Sequence, residues 1–469
     1  MTDRNDTNIV DKTDKVQAFL KGLAGKRIAV CGIGHNNTPV VLQLLGLGAR
    51  VTACDKRTRE QLGDAADRLE QAGALLSLGE SYLDRLEEAE LILRTPGMKP
   101  YLPAFEAARK RGIPVSSEME LFFELCPAPI YAVTGSDGKT TTTSIIAGML
   151  EKSGRRVFLG GNIGRPLLPE IERIRPEDAA VVELSSFQLT MMTCRPHVAV
   201  ITNVAPNHLD WHTDMQEYID AKYNLIATQG SADRAVLNAD NAITAGFAGK
   251  TRAQVFRFSR RDRLVPGAWA KKGVLYAAGT DGVQTAVMPT EEIKLPGEHN
   301  LENYLAATAA LWGEVDPAVM AGFAREFGGV AHRCELVRTL DGVRWYNDSI
   351  GSSPSRTIAG LKAFGGNVIL IAGGYDKHIP YAPLGPVAAQ TVKRAILMGD
   401  TADAIESAIR ACSELPITRV SGMEEAVKAA RETAREGDIV FLSPASASFD
   451  KYKNFEERGN HFKALVQEL

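Results

Sequence analysis

Residues 131–150, YAVTGSDGKTTTTSIIAGML, combine the side chains and backbone features that bind phosphate. Gly135 and Gly138 can adopt positive backbone φ angles, which lets backbone N–H groups approach a phosphate. Lys139 supplies a positive charge for the terminal phosphates, and Thr140 supplies a hydroxyl group of the kind that binds Mg²⁺. The loop is shorter than the G-x-x-x-x-G-K-[ST] motif, since a valine stands where the first glycine of that motif falls. A phosphate-binding loop is therefore favoured over a plain strand-to-helix turn.

Charged side chains in three later segments could act on a bound phosphate, although each also has an ordinary structural explanation. Glu183 lies in the apolar stretch VVELSSF, where a carboxylate is costly unless it is hydrogen-bonded or binds a metal. His208 follows a strand end, where α/β sites collect, but surface loops also carry such histidines. Lys222 lies within a predicted helix, where a lysine usually faces solvent. The residues alone leave both explanations open for each of the three.

Two further segments could contact a nucleotide. Asn300 and Asn303 lie three residues apart, so a helix would place them on one face. Asn300 could equally cap that helix. Arg333 precedes a predicted strand, where its guanidinium group could hold a phosphate or form a salt bridge. These roles also stay open at the level of the residues.

The chain that must position these side chains begins with a strand-helix-strand unit. KRIAVCGIG (26–34) ends in G-x-G, a helix-like stretch follows, and the next strand ends at Asp55. The third glycine of a dinucleotide-binding fingerprint is absent, and His35, Asn36 and Asn37 fill the turn. This turn is either a ligand site at a strand end or a tight corner.

Strands and helices alternate through the rest of the chain. The predicted segments are a strand at 89–97, a strand and a helix in 112–125, strands at 179–189 and 197–204, a helix at 214–227, a strand at 234–240, a helix at 300–312, strands at 367–374, 394–400 and 438–446, and a final helix from about Tyr452. Thr213 and Gln216 are predicted to form a capping box at the second of these helices. The alternation predicts three α/β domains with largely parallel sheets.

The predicted domains are residues 1–127, 128–329 and 330–469, with CPAP (126–129) as a linker. Composition agrees with a soluble globular protein, since 45% of the residues are hydrophobic and 24% are charged. The net charge of −3 argues against nucleic acid as a partner. The apolar stretches are too short for membrane insertion, and the N-terminal residues do not form a secretory signal.

The six cysteines are scattered and do not cluster with the eight histidines. This pattern predicts reduced thiols in a cytoplasmic protein and argues against a zinc site.

Taken together and in order, the motifs resemble those of the Mur ligases, the ATP-dependent amide ligases of cell-wall synthesis. The resemblance runs from about residue 25 to the C-terminal motif, and it rests on TGSDGKTTTT, GGNIGRP, ELSSFQL, TNVAPNHLDWH, AKYNLI, GEHNLENYLAA, AHRCE, NDS, AGGYDK and SPASASFDKYKNFEERGNHF. Within the family, ELSSFQL and SPASASFDKYKNFEERG resemble the branch that adds D-glutamate to UDP-N-acetylmuramoyl-L-alanine. The resemblance implies a Rossmann-like N-terminal domain, a central P-loop-type ATPase domain and a Rossmann-like C-terminal domain.

The resemblance also implies the site residues. ATP would contact Gly135, Ser136, Asp137, Gly138, Lys139, Thr140, Thr141, Asn300, Asn303, Arg333 and Asp348. Two Mg²⁺ ions would be held by Thr140, Glu183, His208 and Lys222, the last as a carbamate, which turns an ammonium into an oxygen donor. Lys139, His208 and Lys222 would be the catalytic residues. The UDP-sugar substrate would contact Asp55, Arg57, Thr95, Pro96, Gly97, Asn162, Ser185 and Gln188, and D-glutamate would contact Lys377, Ser448, Phe449 and Phe455.

The implied reaction has two stages: ATP phosphorylates the L-alanyl carboxylate, and the amine of D-glutamate then attacks the acyl phosphate. No residue is assigned as the base that deprotonates the amine. The chain departs from many relatives at Ile350, where a lysine is usual, and Lys377 or Arg356 is the candidate replacement. We expect a monomer acting on small molecules, and closure of the C-terminal domain over the ATP site.

Two other functions remain as alternatives: a related ligase with another acceptor, such as a folylpolyglutamate-type synthase, and a catalytically silent nucleotide-binding protein.

Overall fold

The computed structural model describes residues 6–34, 37–206, 211–295, 297–376 and 379–469. The chain divides into two compact units, Met1–Glu326 and Phe327–Leu469. Within the described residues, the first unit contains two β-sheets and the second contains one. Strands and helices alternate in all three, and most neighbouring strands are parallel. The predicted α/β class is confirmed, while the boundary between residues 127 and 128 stays a prediction.

The first sheet has five parallel strands in the order β3-β2-β1-β4-β5. Its strands are β1 Arg27–Cys31, β2 Arg50–Asp55, β3 Leu75–Leu78, β4 Leu91–Arg94 and β5 Val115–Ser116. Its helices are α1 Asp6–Lys21, α2 Asn37–Gly46, α3 Arg59–Leu62, α4 Asp64–Gln71, α5 Pro103–Lys110 and α6 Glu118–Leu125. Because β2, β1 and β4 are neighbours, the turns that follow them meet at one edge of the sheet.

The second sheet has nine strands in the order β14-β13-β12-β11-β10-β9-β6-β8-β7. Its strands are β6 Ile130–Thr134, β7 Val157–Gly161, β8 Ala179–Glu183, β9 Val198–Ile201, β10 Arg234–Asn238, β11 Gln254–Ser259, β12 Gly267–Lys271, β13 Val274–Ala278 and β14 Gln284–Pro289. Its helices are α7 Lys139–Lys152, α8 Ser186–Leu189, α9 Met215–Ala227, α10 Ala242–Ala245, α11 Glu298–Leu311 and α12 Pro317–Glu326. Only the pairs β12–β13 and β13–β14 are antiparallel in this part of the structure.

Two local predictions for this region are wrong. The strand predicted at 179–189 ends at Glu183, because Ser185 caps the short helix α8 instead of continuing the strand. The capping residue of α9 is Asp214, whose side chain accepts a hydrogen bond from the Glu217 N–H, and not Thr213. In both places a side-chain oxygen close to the predicted position binds the backbone and sets the helix start.

The two sheets of the first unit share a continuous apolar core. This core includes Val30 and Leu44 beside the first sheet and Val182 and Ile201 in the second. Cys126, in the predicted linker CPAP, is fully buried in the same core. The linker is therefore a packed connection rather than an exposed tether.

The second unit is built on a six-stranded sheet in the order β15-β16-β20-β17-β18-β19. Its strands are β15 Glu335–Leu340, β16 Val343–Asn347, β17 Val368–Gly373, β18 Val392–Met398, β19 Ile417–Arg419 and β20 Ile439–Leu442. Its helices are α13 Pro354–Phe364, α14 Leu384–Thr391, α15 Ala402–Arg410, α16 Met423–Thr433 and α17 Phe455–Glu468. Apolar clusters cover both faces of the sheet, which explains the nearly continuous apolar sequence of β17 and β20.

The six cysteines are all free thiols, and four of them are buried. The prediction of reduced thiols is confirmed. None of the helices in the described ranges has the length and apolar character required to span a membrane.

Candidate active site

The phosphate-binding loop joins β6 to α7 and needs glycine at two positions. Gly135 has a φ angle of +153° and Gly138 has a φ angle of +77°. A Cβ atom at Gly135 would collide with the hydroxyl group of Thr202, and one at Gly138 would collide with the side-chain oxygen of Asn303. The loop therefore packs so closely on its neighbours that a larger residue would displace it.

Residues after the neighbouring strand β9 hold this loop in place. Thr202 donates a hydrogen bond from Oγ1 to the carbonyl oxygen of Asp137 at 2.6 Å, and the Asp137 N–H donates to Asn203 Oδ1 at 3.0 Å. These residues belong to the motif TNVAPNHLDWH, but their types and spacing predicted no role for them. Their position directly after an apolar strand, next to β6 in the sheet, is the signal that could have identified them.

Two lysine side chains converge on one backbone oxygen of the loop. Lys139 Nζ donates to the carbonyl oxygens of Gly135 and Ser136, each at 2.9 Å. Lys222 Nζ donates to the same Gly135 oxygen at 2.7 Å. The structure thus places Lys222, which is 87 residues away from Gly135 in sequence, directly at the phosphate-binding loop.

Lys222 is almost completely buried, with 1% of its surface exposed, which rules out a solvated helix lysine. Burial lowers the pKa of its amine well below the usual value, and the positive charge of Lys139 lowers it further. The carboxylates of Asp137 and Glu183 oppose this shift but do not overcome it. The environment therefore favours the neutral amine, which is the nucleophilic form.

Tyr218 lies one helical turn before Lys222 and connects it to the loop. The Nζ atom of Lys222 lies 4.5 Å from the centre of the Tyr218 ring. The Tyr218 hydroxyl group is 2.9 Å from Ser136 Oγ, which also bonds to the backbone of Ala205. Sequence reasoning missed Tyr218, although its spacing of four residues from Lys222 places both on one helix face.

Glu183 ends β8, beside the loop, and is 1% exposed. Its Oε1 atom accepts a hydrogen bond from Asn162 Nδ2 at 2.8 Å. Its Oε2 atom is buried and has no hydrogen-bond partner among the described residues. A buried carboxylate oxygen is costly unless it is paired, so this atom is suited to bind a cation.

Asn300 and Asn303 lie together, as the sequence predicted. Asn303 Nδ2 donates to Asn300 Oδ1 at 3.2 Å, and Asn303 Oδ1 accepts from Thr142 on the helix of the phosphate-binding loop. The capping alternative for Asn300 is wrong, since α11 begins at Glu298 with Gly297 as its cap. The pair is thus attached to the loop through α7.

Ser185 and Gln188 bind each other at the start of α8. The Gln188 N–H donates to Ser185 Oγ at 3.3 Å, and the Ser185 N–H donates to Gln188 Oε1 at 2.9 Å. They form a capping box two residues after Glu183. Their predicted contact with substrate stays a prediction.

At the edge of the first sheet, Asp55 organises the G-x-G turn. Its carboxylate accepts hydrogen bonds from the Ile33 N–H at 2.7 Å and from Arg57 Nε and Nη2 at 3.0 and 2.8 Å. Burial alone would raise the pKa of Asp55, but the hydrogen bonds from Arg57 and Ile33 outweigh it, and the pKa is lowered. Asp55 therefore stays ionised, and Arg57 is held beside the turn.

The turn after β4 lies against the same edge. The Thr95 N–H donates to the Cys31 carbonyl oxygen at 2.8 Å. Gly32, with a φ angle of +91°, lies so close to Thr95 that a Cβ atom would approach Thr95 Cγ2 to 2.5 Å. The structure thus brings together the predicted UDP-binding residues Asp55, Arg57, Thr95, Pro96 and Gly97.

In the second unit, Asp348 follows β16 and is buried. Its Oδ2 atom accepts from Ser443 Oγ at 2.8 Å, and its Oδ1 atom accepts from the Cys334 N–H at 3.2 Å. Burial raises the pKa of Asp348 to about 6, although its hydrogen bonds and the positive charges of Arg333 and Arg356 oppose the rise. Arg333 is therefore close enough to act on Asp348 electrostatically.

The raised pKa of Asp348 predicts a pH-dependent stability that Asp348→Asn removes. Burial favours the protonated carboxyl group of Asp348. Its contribution to the free energy of unfolding is therefore fully present below 3.8, the pKa in the unfolded chain, and is lost as the pH rises through about 6. We expect the unfolding free energy of the wild type, relative to D348N, to fall by about 3 kcal/mol between pH 3 and pH 8. Urea unfolding of both proteins across this range measures the difference.

Comparison with D348N isolates this effect from that of His332. Burial lowers the pKa of His332, so its contribution to the free energy of unfolding changes with pH in the opposite direction. Because His332 is present in both proteins, this contribution cancels in the difference between them. If the difference in unfolding free energy between the wild type and D348N stayed constant with pH, the prediction would be contradicted.

The loop that follows β20 contains the predicted amino-acid site, and Arg458 holds it. Arg458 is 1% exposed and donates to the carbonyl oxygens of Ala447 at 2.8 Å, Ser446 at 3.2 Å and Ser349 at 2.9 Å. Ser448 is buried directly beyond these anchors, and Phe449 is 65% exposed. Arg458 belongs to the motif FEERG, which predicted no role for it. A basic residue inside an otherwise specific motif was the available signal.

Several predicted residues lie outside the described part of the chain: His208, Lys377, and His35 and Asn36 of the first turn. Their predicted roles stay predictions. The described residues contain no group of three or more histidine, cysteine, aspartate or glutamate side chains that could hold a metal ion. A cation at Glu183 would therefore need ligands from hydroxyl groups, water or a bound phosphate, which suits Mg²⁺.

Models of three protein domains match consecutive parts of the chain. The N-terminal domain described as Mur ligase MurD-like matches residues 26–117, the Mur ligase middle domain matches 133–311, and the Mur ligase, glutamate ligase domain matches 332–446. These matches cover most of the chain and follow the order of the three sheets.

Curated relatives match over nearly the whole length. A UDP-N-acetylmuramoylalanine--D-glutamate ligase of Acetivibrio thermocellus is 51% identical over 462 residues, which cover 97% of this chain and 99% of the relative. The enzyme of the same name from Clostridium botulinum is 47% identical, with 96% and 98% coverage. That of Symbiobacterium thermophilum is 48% identical, with 95% and 98% coverage.

Solved structures share the fold at low sequence identity. The UDP-N-acetylmuramate-alanine ligase MurC of Thermotoga maritima has a TM-score of 0.57 at 16% identity and covers 94% of this chain and 99% of its own. The MurF ligase of Thermotoga maritima in complex with ADP has a TM-score of 0.53 at 18% identity, with 95% and 96% coverage. These similarities support the fold alone.

Proposed function

The chain belongs to the Mur ligase family as a ligase that joins D-glutamate to UDP-N-acetylmuramoylalanine, and we propose that each of its three sheets binds one substrate at its C-terminal edge. The observation that carries this proposal is the arrangement around the phosphate-binding loop. There, a buried amine on Lys222 lies beside a glycine-rich turn, together with a carboxylate oxygen on Glu183 that has no hydrogen-bond partner among the described residues.

We propose that the reaction proceeds through an acyl phosphate. The L-alanyl carboxylate attacks the γ-phosphorus of ATP, a P–O bond forms, and ADP leaves. The amine of D-glutamate then attacks the acyl carbon, an amide bond forms, inorganic phosphate leaves and the amine loses a proton. Phosphoryl transfer needs positioning and neutralised charge more than covalent help from the protein.

The phosphate-binding loop is proposed to receive ATP. Its backbone N–H groups and the N-terminus of α7 favour negative charge. Lys139 is proposed to move from the carbonyl oxygens of Gly135 and Ser136 to the terminal phosphates. The other proposed ATP contacts in this unit are Ser136, Asp137, Thr141, Asn300 and Asn303. Arg333 is proposed to contact the phosphates of ATP, and Asp348 its ribose.

Mg²⁺ fits the oxygen donors that surround the loop. Glu183 offers its Oε2 atom, which has no hydrogen-bond partner in the described part of the chain, and Thr140, at the start of α7, offers a hydroxyl group. When bound, Mg²⁺ neutralises charge on the phosphates and orients them. His208 and Lys222 are the proposed ligands of a second ion.

Lys222 is proposed to act as a carbamate. The neutral amine, which its surroundings favour, can attack CO₂ to form an N–C bond and release a proton. The product is an anionic oxygen donor, which Mg²⁺ binds far better than an amine. Asn162, whose side chain is bound to Glu183, is proposed to contact the muramoyl substrate.

The other two substrates are assigned to the first and third sheets. The UDP group is proposed to bind at the turns around Asp55, Arg57 and Thr95, and Ser185 and Gln188 are proposed to line the path to the loop. D-Glutamate is proposed to bind at Ser448 and the backbone of Phe449, beside Phe455. Lys377 or Arg356 replaces the family lysine that is absent at Ile350.

The partners are small molecules, and activity as a monomer in the cytoplasm is expected. Purified protein incubated with ATP, Mg²⁺, UDP-N-acetylmuramoylalanine and D-glutamate should release ADP and phosphate and form the amide product. L-Glutamate and a folate acceptor serve as comparisons. The assignment fails if D-glutamate supports no phosphate release or if a folate substrate is preferred.

A further inference from the structure

The segment that leaves β4 makes three hydrogen bonds with the part of the chain built on the second sheet. We call these contacts the bridge. Its six residues are Arg94, Gly97 and Tyr101 on the first side and Thr190, Trp211 and Glu217 on the second.

The bridge joins backbone and side-chain groups at three separate points. Arg94, which is buried, donates to the Thr190 carbonyl oxygen at 3.3 Å and to Met98 in its own turn at 3.0 Å. Trp211 Nε1 donates to the Gly97 carbonyl oxygen at 3.2 Å. The Tyr101 hydroxyl group donates to the carboxylate of Glu217. The strand end is thus fixed on both sides of the Thr95–Gly97 turn.

The residues on the second side are themselves held firmly. The Trp211 ring packs on Phe187 with ring centres 4.6 Å apart, and Lys99 Nζ lies over the Trp211 ring at 5.8 Å from its centre. The Glu217 carboxylate also accepts from the Thr213 N–H at 2.6 Å and from Thr213 Oγ1 at 3.0 Å. A group that is fixed before it binds can position its partner at a small entropic cost.

The bridge connects the proposed nucleotide-sugar turn to the chain segment that leads to the reaction centre. Gly97 belongs to the turn proposed to hold UDP, while Glu217 lies on α9, five residues before Lys222. We infer that Trp211 and Tyr101 are positioning residues, which hold the Thr95–Gly97 turn at the place where the nucleotide sugar binds. This inference rests on the proposed function.

The bridge adds little to the stability of the unit. Tyr101 is 39% exposed and Trp211 is half-buried, whereas the apolar core between the two sheets is fully enclosed. Single hydrogen bonds at such exposed places change the free energy of unfolding only slightly. Loss of the bridge should therefore affect substrate binding more than folding.

The test uses Tyr101→Phe and Trp211→Phe, separately and together, in the full chain. Each change removes one hydrogen-bond donor and keeps an aromatic ring. We expect each to raise KM for UDP-N-acetylmuramoylalanine about 5-fold and the pair to raise it about 10- to 25-fold, since a single hydrogen bond has about this effect on binding. KM for ATP, KM for D-glutamate and kcat should stay within about 2-fold of the wild type.

Trp312→Phe is the matched control, because Trp312 is also half-buried but follows the last residue of α11, away from the bridge. It should leave all three KM values unchanged. Equal changes in all three KM values, or no change in any, would overturn the inference. Wild-type protein without activity on this substrate would instead overturn the proposed function, so the two failures are distinguishable.

Discussion

Lys222→Met is expected to lower kcat for amide formation by about a thousandfold, which corresponds to about 4 kcal/mol of transition-state stabilisation. Methionine fills the same buried volume but can neither form a carbamate nor bind a cation. Burial disfavours the charged form of the Lys222 amine. Replacing this amine by an apolar group should therefore not lower the melting temperature. Steady-state assays with saturating substrates measure the loss.

Chemical rescue and a matched lysine variant make this prediction specific. Acetate or formate, which can supply the missing carboxylate oxygens, should restore part of the activity of K222M. Lys152→Met removes a surface ion pair with Glu326 in the same unit and should leave kcat unchanged. Full activity of K222M without added acid would show that Lys222 has no part in the reaction.

Glu183→Gln is expected to lower kcat about a hundredfold and to raise the Mg²⁺ concentration needed for half-maximal activity. The carboxylate oxygen that has no partner among the described residues is the proposed cation ligand, and an amide binds cations more weakly. In the absence of Mg²⁺ the variant should be more stable by about 1 kcal/mol, since it replaces a buried carboxylate, one of whose oxygens has no hydrogen-bond partner among the described residues, by a neutral amide. Mg²⁺ titrations of activity and melting temperature measure both effects.

Glu118→Gln is the control for Glu183→Gln. Glu118 is also buried, but its Oε1 atom accepts hydrogen bonds from the Leu167 and Leu168 N–H groups at 2.8 Å each. Burial raises the pKa of Glu118, although these two hydrogen bonds oppose the rise. Its neutralisation should therefore change stability little and leave the Mg²⁺ dependence unchanged. If both variants behaved alike, the effect at Glu183 would reflect burial of charge and not cation binding.

The sequence predicted the α/β fold well because its strands are unusually clear. VILIAG and IVFL are apolar throughout, as strands covered on both faces must be, and glycine turns follow several of them. Boundaries were less predictable. The strand at 179–189 was extended too far because Leu184 and Leu189 continue the apolar pattern, whereas the Ser185 cap that ends it acts through a local hydrogen bond.

The site residues were predicted by type and motif, but their contacts were not. Nothing in the sequence indicates that Lys222 and Lys139 donate to the same oxygen, because that contact depends on how α9 packs beside β6. Tyr218 and Arg458 were missed for a related reason. Each binds backbone or hydroxyl groups of distant segments, so its position on a helix or in a motif shows that it could matter but not which group it binds.

The carbonyl oxygen of Gly135 is held by two lysines, so either one alone could keep the loop in its conformation. A carbonyl oxygen has two lone pairs, and the Nζ atoms of two lysines, Lys139 and Lys222, donate to this one. If one lysine were lost by mutation, the other would still hold the turn, so the protein would remain folded while its chemistry failed. Substitution of either lysine should therefore reduce catalysis without unfolding the protein. Variants that are folded but inactive should be easy to isolate.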